Sequence, residues 1–88
     1  MLDLRTTNRF KKDAKKVERQ GKPMARLGEV IERLRKEEPL EPHHRDHLLT
    51  GNYGNHRECH VAPDWLLIYK AEDGFLILMR TGFHSELF

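Results

Sequence analysis

Cys59 is the only cysteine among 88 residues, so no disulfide can form within the chain. A lone thiol fits a reducing cytoplasm, and stability has to come from packing. Long apolar runs are missing too. No stretch approaches the ~20 residues that a membrane span needs. The chain starts Met1-Leu2-Asp3-Leu4-Arg5, charged from the outset, so no signal peptide is expected. No membrane partner is expected either, and the location that follows is cytoplasmic. Excess charge of one sign is also scarce: 16 Lys and Arg against 14 Asp and Glu leave +2. This length supports one domain over 1–88 with one core of moderate size.

The charge is present but unevenly placed. Arg9, Lys11, Lys12, Lys15, Lys16 and Arg19 crowd one predicted helix, around a narrow apolar stripe of Phe10, Ala14 and Val17. A basic face on a nearly neutral chain points to a polyanionic partner, usually nucleic acid. Ahead of that helix, Leu2, Leu4 and Thr6 alternate with polar residues as in a short strand, and Thr6 or Thr7 can cap the helix. Gly21 and Pro23 end it. Leu27, Val30, Ile31 and Leu34 then recur at i, i+3, i+4 and i+7, a second helix that Pro39 stops. The short link predicts an antiparallel helix hairpin, and Gly28 is a candidate for close approach of the first helix.

Residues 39–55 keep no sustained period and hold three of the six histidines, so a functional loop is expected there. From His56 the period is two. Arg57, Cys59 and Val61 alternate with Glu58 and His60. Pro63-Asp64 turns the chain, Trp65 to Lys70 forms a strand, Asp73-Gly74 signals a hairpin, and Phe75 to Arg80 returns. The last two strands are apolar on both faces, so they are central. The order gives an α+β, two-layer domain: an N-terminal strand, a helix hairpin, then an antiparallel three-stranded meander. The helices cover one face. The other, partly open, carries Glu58, His60 and Arg80.

The strand ends at the Pro63-Asp64 corner gather His60, Asp64, Arg80 and His84. Two imidazoles, a carboxylate and a guanidinium can cleave RNA without metal. One group takes the ribose 2′-OH proton, another protonates the leaving 5′-oxygen, and arginine stabilises charge on phosphorus. Trp65 and Phe88 can stack on bases, although a lone tryptophan is more often core. The competing reading is zinc, held by His43 or His44 with His47, plus His60 or His84 and a carboxylate. No HExxH or CxxC supports it. His43, His44 and His56 read as surface residues, and Cys59 as a buried small hydrophobe.

Three segments then resemble a known family: Asp46-His47-Leu48-Leu49-Thr50-Gly51, Arg57 through Lys70 with His60-Val61-Ala62-Pro63-Asp64-Trp65 at its centre, and Arg80-Thr81-Gly82-Phe83-His84-Ser85-Glu86-Leu87-Phe88. Motifs and gaps together are similar to the YafQ-type toxins of the RelE/ParE superfamily of bacterial type II toxin–antitoxin systems. The resemblance covers essentially the whole chain. It implies a RelE-like fold, and an mRNA endoribonuclease that works without a cofactor on the translating 70S ribosome. It also implies a cognate antitoxin protein. By position His47, His60, Asp64 and His84 match the family's acid/base residues, and Arg80 its phosphate-contacting arginine. Trp65 and Phe88 match residues lining the RNA site. Glu58 stands where an aspartate is familiar and is grouped with Asp46 as RNA-binding. The reading taken forward has His47 as base and His84 as acid, with Lys11, Lys12, Lys15 and Lys16 on ribosomal RNA phosphates. The superfamily also holds gyrase inhibitors of the same fold, so a toxin that cleaves no RNA, or a non-catalytic RNA-binding module, is the alternative.

Overall fold

A computed structural model describes residues 1–88, the side chain of Asn52 excepted. Eight elements of helix and strand follow in order: β1 (Asp3–Thr6), α1 (Asn8–Arg19), α2 (Met24–Arg35), β2 (His47–Leu48), β3 (Arg57–Ala62), β4 (Trp65–Glu72), β5 (Phe75–Phe83) and α3 (His84–Leu87). Short 3₁₀ turns at Pro42–His44 and Gly51–Tyr53 flank β2. The meander is present, but the sheet is larger than expected. It has five strands in the order β1-β5-β4-β3-β2. β1 joins parallel to β5, and His47–Leu48 adds an antiparallel strand beside β3. Two residues are too few for any period to show, so this strand lay hidden in the aperiodic stretch.

Alternation along β4 explains its doubly apolar sequence. Trp65, Leu67 and Tyr69 join Phe10, Val17, Leu27, Val30 and Leu34 from the helices in one buried cluster. Leu66 and Ile68 point to the other face, where Leu87 of α3 covers them. Asp73 and Gly74, at φ 51° and 83°, make the β4–β5 turn with both residues left-handed, as a tight hairpin requires. Gly28 does not serve a close approach: a Cβ there would meet nothing within 4 Å.

Helix α1 is placed by the edge it closes. β1 pairs with β5 only as far as Leu78. Beyond that point the chain at the start of α1 takes over the exposed edge. The Thr7 amide donates to the Leu78 carbonyl at 3.1 Å, and the Thr7 hydroxyl donates to Met79 O at 2.9 Å while accepting from the Phe10 amide. Thr7 is thus both helix cap and edge cover. Asp13 continues the edge by accepting from the Thr81 amide at 3.2 Å.

Candidate active site

The open face is built in rows across the strands. His47 pairs with Glu58, Glu58 with Ile68, and Ile68 with Arg80. At about 4.8 Å per strand step this row runs about 14 Å from His47 to Arg80. The next row is His60, Leu66 and Gly82. Leu66 and Ile68 stand between Glu58 and His60 on β3 and their partners on β5, and with Leu87 they form an apolar patch; the titratable residues of β2 and β3 make one group and those of the tail another.

The first group centres on Glu58, whose side chain is 8% exposed. Its Oε1 lies 3.6 Å from His47 Nε2 and 4.0 Å from His60 Nε2. Each imidazole is oriented from behind. His47 Nδ1 lies 2.7 Å from Arg45 O, and His60 Nδ1 lies 3.1 Å from Pro63 O. A carbonyl oxygen only accepts, so in both rings Nδ1 carries the proton and donates it. The Nε2 atoms are thereby left as the working nitrogens. Each can take up a proton and hold it against the buried carboxylate. Arg45 provides its carbonyl from a left-handed turn, at φ 47° and ψ 46°. Asp64 stands exposed in the corner after His60 and has no side-chain partner among the described residues.

The second group belongs to the tail that follows β5. His84 begins α3, and its ring lies 5.0 Å from that of Phe88. Phe88 also meets Tyr53 edge-on at 5.8 Å. The tail is held by buried Leu87 and by Glu86, which accepts from the Phe83 amide and pairs with Lys16. The Lys16 ammonium holds the Glu86 carboxyl below its usual range. Phe88 itself stays 56% exposed.

Several sequence expectations are corrected here. Trp65 is not a stacking platform. It is 1% exposed in the helix-side core, where its Nε1 donates to the Thr81 hydroxyl at 2.9 Å. Apolar residues on both faces of β4 left the direction of Trp65 open, and strand alternation turned it inward. Asp46 is not turned toward the histidines. It accepts from the Tyr69 hydroxyl at 2.5 Å and from Arg57 Nε at 3.1 Å, so it ties the loop to the helix-side face. Burial, with that bond to Asp46, pushes the Tyr69 phenol well above its usual range. Lys16 is already paired with Glu86 and is not a free phosphate contact. His44 is buried rather than on the surface. Of the expected gathering of His60, Asp64, Arg80 and His84, His60 is set beside Glu58 and Arg80 is bound to Asp13. Cys59 is buried as expected, and burial raises its thiol too far for nucleophilic use.

Arg80 reaches the face already engaged. Its Nε and one terminal nitrogen donate to Asp13 at 2.7 and 3.2 Å, which raises its pKa further. Sequence reasoning missed Asp13, yet a signal was present. Phe10, Asp13, Ala14 and Val17 share one stripe at i, i+3, i+4 and i+7, so a carboxylate occupies an inward position of an otherwise basic helix. The Arg45 carbonyl and Tyr53 were also missed. A backbone acceptor leaves no trace in residue identity, and Tyr53 lies in a segment without a period.

No described helix is long and apolar enough to cross a membrane. Among the described residues no cluster of three or more His, Cys, Asp or Glu is arranged to hold a metal.

Comparison with known proteins agrees with the architecture. The family model described as a bacterial toxin of type II toxin–antitoxin system, YafQ, matches residues 2–88. The mRNA interferase toxin YafQ of Escherichia coli K12 is 37% identical over 87 residues, covering 98% of this chain and 95% of that protein. Among solved structures, a copper-bound mutant toxin from Helicobacter pylori superposes with a TM-score of 0.96 at 48% identity, each chain covered in full. The toxin of the Escherichia coli DinJ–YafQ complex gives 0.91 at 36% identity, over 100% of this chain and 99% of that one. The chain belongs to the YafQ family of bacterial type II toxin–antitoxin toxins.

Proposed function

We propose that this toxin is an mRNA interferase, an endoribonuclease that cleaves by acid/base attack of the ribose 2′-OH. The observation that carries the reading is Glu58 set between two imidazoles whose Nδ1 atoms are both fixed by backbone carbonyls. The similarity to the Escherichia coli mRNA interferase supports it. His47 Nε2 takes the 2′-OH proton, and Glu58 holds the resulting imidazolium. His60 and Asp64 orient the nucleotide from the corner. His84, exposed and with neither ring nitrogen bonded within the described residues, protonates the leaving 5′-oxygen. Phe88 stacks on a base beside it. Arg80, with Asp13 behind it, offers the remaining guanidinium nitrogen to phosphate. No step calls on a metal ion.

The same reading assigns two partners. The Escherichia coli YafQ was solved with DinJ, and a cognate antitoxin is the counterpart proposed here. The translating ribosome is the proposed setting, with exposed Lys11, Lys12 and Lys15 on ribosomal RNA. His84→Gln tests the assignment. Cleavage should fall by about 10²–10⁴-fold, the usual worth of a general acid, with the circular dichroism spectrum unchanged. Full cleavage by the folded variant would remove His84 from the mechanism.

A further inference from the structure

A second basic feature adjoins His60 and plays no part in the acid/base chemistry. A cleft of about 330 Å³ opens between the first turn of α2, the 3₁₀ turn at Pro42–His44 and the Pro63 corner. Arg26, His43, Arg45 and His60 line it. Arg26 and Arg45 are both exposed, and neither makes an ion pair or a side-chain hydrogen bond among the described residues. Arg33, Arg35, Arg57 and Arg80 by contrast have carboxylate partners. Arg26 also borders an adjoining 150 Å³ cleft lined by Glu29 and Glu41, and Glu41 is drawn to Arg33 at 3.7 Å. Arg26 also stands in the first turn of a twelve-residue helix with no acidic residue and no side-chain cap there. That end of a helix disfavours a cation and favours an anion.

Arg45 links this cleft to the catalytic face. Its carbonyl fixes His47, while its side chain lines the cleft beside His60. We infer that Arg26 and Arg45 form a phosphate subsite, which grips the RNA backbone at a nucleotide neighbouring the one being cleaved. The inference rests on the RNA-cleaving reading for its substrate. The chemistry required is a phosphodiester: two guanidinium groups that line one cleft and are free of ion pairs suit phosphate. His43 adds a further donor. Because Arg26 and Arg45 would hold a nucleotide other than the one being cleaved, they act in binding and should lower KM more than they raise kcat.

The test uses the full chain, a short uncleavable 2′-O-methyl RNA, and Arg26→Gln, Arg45→Gln and their double variant. Lys36→Ala, an exposed charge at the far end of α2, is the control for net charge. Binding is measured across salt concentrations, and cleavage is followed separately on the unmodified RNA. The double variant should bind roughly 10-fold more weakly. Its salt dependence should be shallower by about 0.7, the value for releasing one phosphate of a single strand. Lys36→Ala should match the wild type. If the wild type cleaves RNA and the arginine variants keep its affinity and slope, the subsite is wrong and the cleavage reading stands. If the wild type binds with the predicted arginine dependence but never cleaves, the subsite stands and the cleavage reading fails. A wild type that neither binds nor cleaves overturns both.

Discussion

Glu58 changes most in meaning between sequence and structure. In the sequence it is one acid in a strand, with an uncertain part in RNA binding. In the fold it is the point at which β2 and β3 bring two histidines to one oxygen. Phe88 projects because buried Leu87 holds the tail. Deleting Phe88 should lower RNA cleavage roughly 5- to 150-fold, the kinetic equivalent of ~1–3 kcal/mol of base stacking realised in the transition state. Its melting temperature should barely move. A large fall in melting temperature with near-normal specific activity would make Phe88 a structural plug. Trp65 predicts the opposite pattern. Trp65→Phe leaves the Thr81 hydroxyl without its buried donor, and should cost about 1–3 kcal/mol of stability by denaturant titration. Cleavage per folded molecule should stay near wild type, and a selective loss of activity would return Trp65 to the site.

The helices divide labour. α1 turns Phe10, Ala14 and Val17 toward the core, pins Arg80 through Asp13, and leaves Lys11, Lys12 and Lys15 in solvent. Charge reversal at these three lysines should weaken ribosome association and reduce its salt slope by roughly one for each phosphate no longer neutralised. An unchanged slope would make them an ordinary solvated face. In α2, Gly28 is exposed and has open space around its Cα. Gly28→Ala should therefore stabilise the protein by about 0.5–1 kcal/mol, the helix-propensity difference alone. Destabilisation in a thermal melt would show that glycine is needed there. The helices were legible because their apolar stripes repeat over several turns. β2 was not, since two residues beside a 3₁₀ turn carry no period, and its pairing is decided by β3.

At the scale of the whole molecule, one buried group should mark the pH response. His44 sits among residues of α2 and β3 with its Nδ1 unpartnered, and burial, followed by its neighbour His43, lowers its pKa below the usual 6.5. The unfolded chain then binds the proton more readily than the folded one. Stability should be full above about pH 6.5 and decline as the pH falls through that value toward the folded pKa. His44→Phe should flatten this decline in melts taken across pH, and an unaltered decline would assign it to other groups. The α+β class, β1, the two long helices, the meander and the face shared by Glu58 and His60 could all be read from periods of two and 3.6. The meeting of His47 and His60 at Glu58 could not, because it depends on β2 lying beside β3. The central claim is that this face cleaves RNA through the 2′-OH without metal. The most direct measurement is the end chemistry of RNA cut by the purified toxin in excess EDTA. The expected result is a set of discrete cuts ending in a 2′,3′-cyclic phosphate or its 3′-phosphate product, with a 5′-hydroxyl on the other fragment. Fragments with 3′-hydroxyl and 5′-phosphate ends, or cleavage lost in EDTA and restored by a metal, would contradict it.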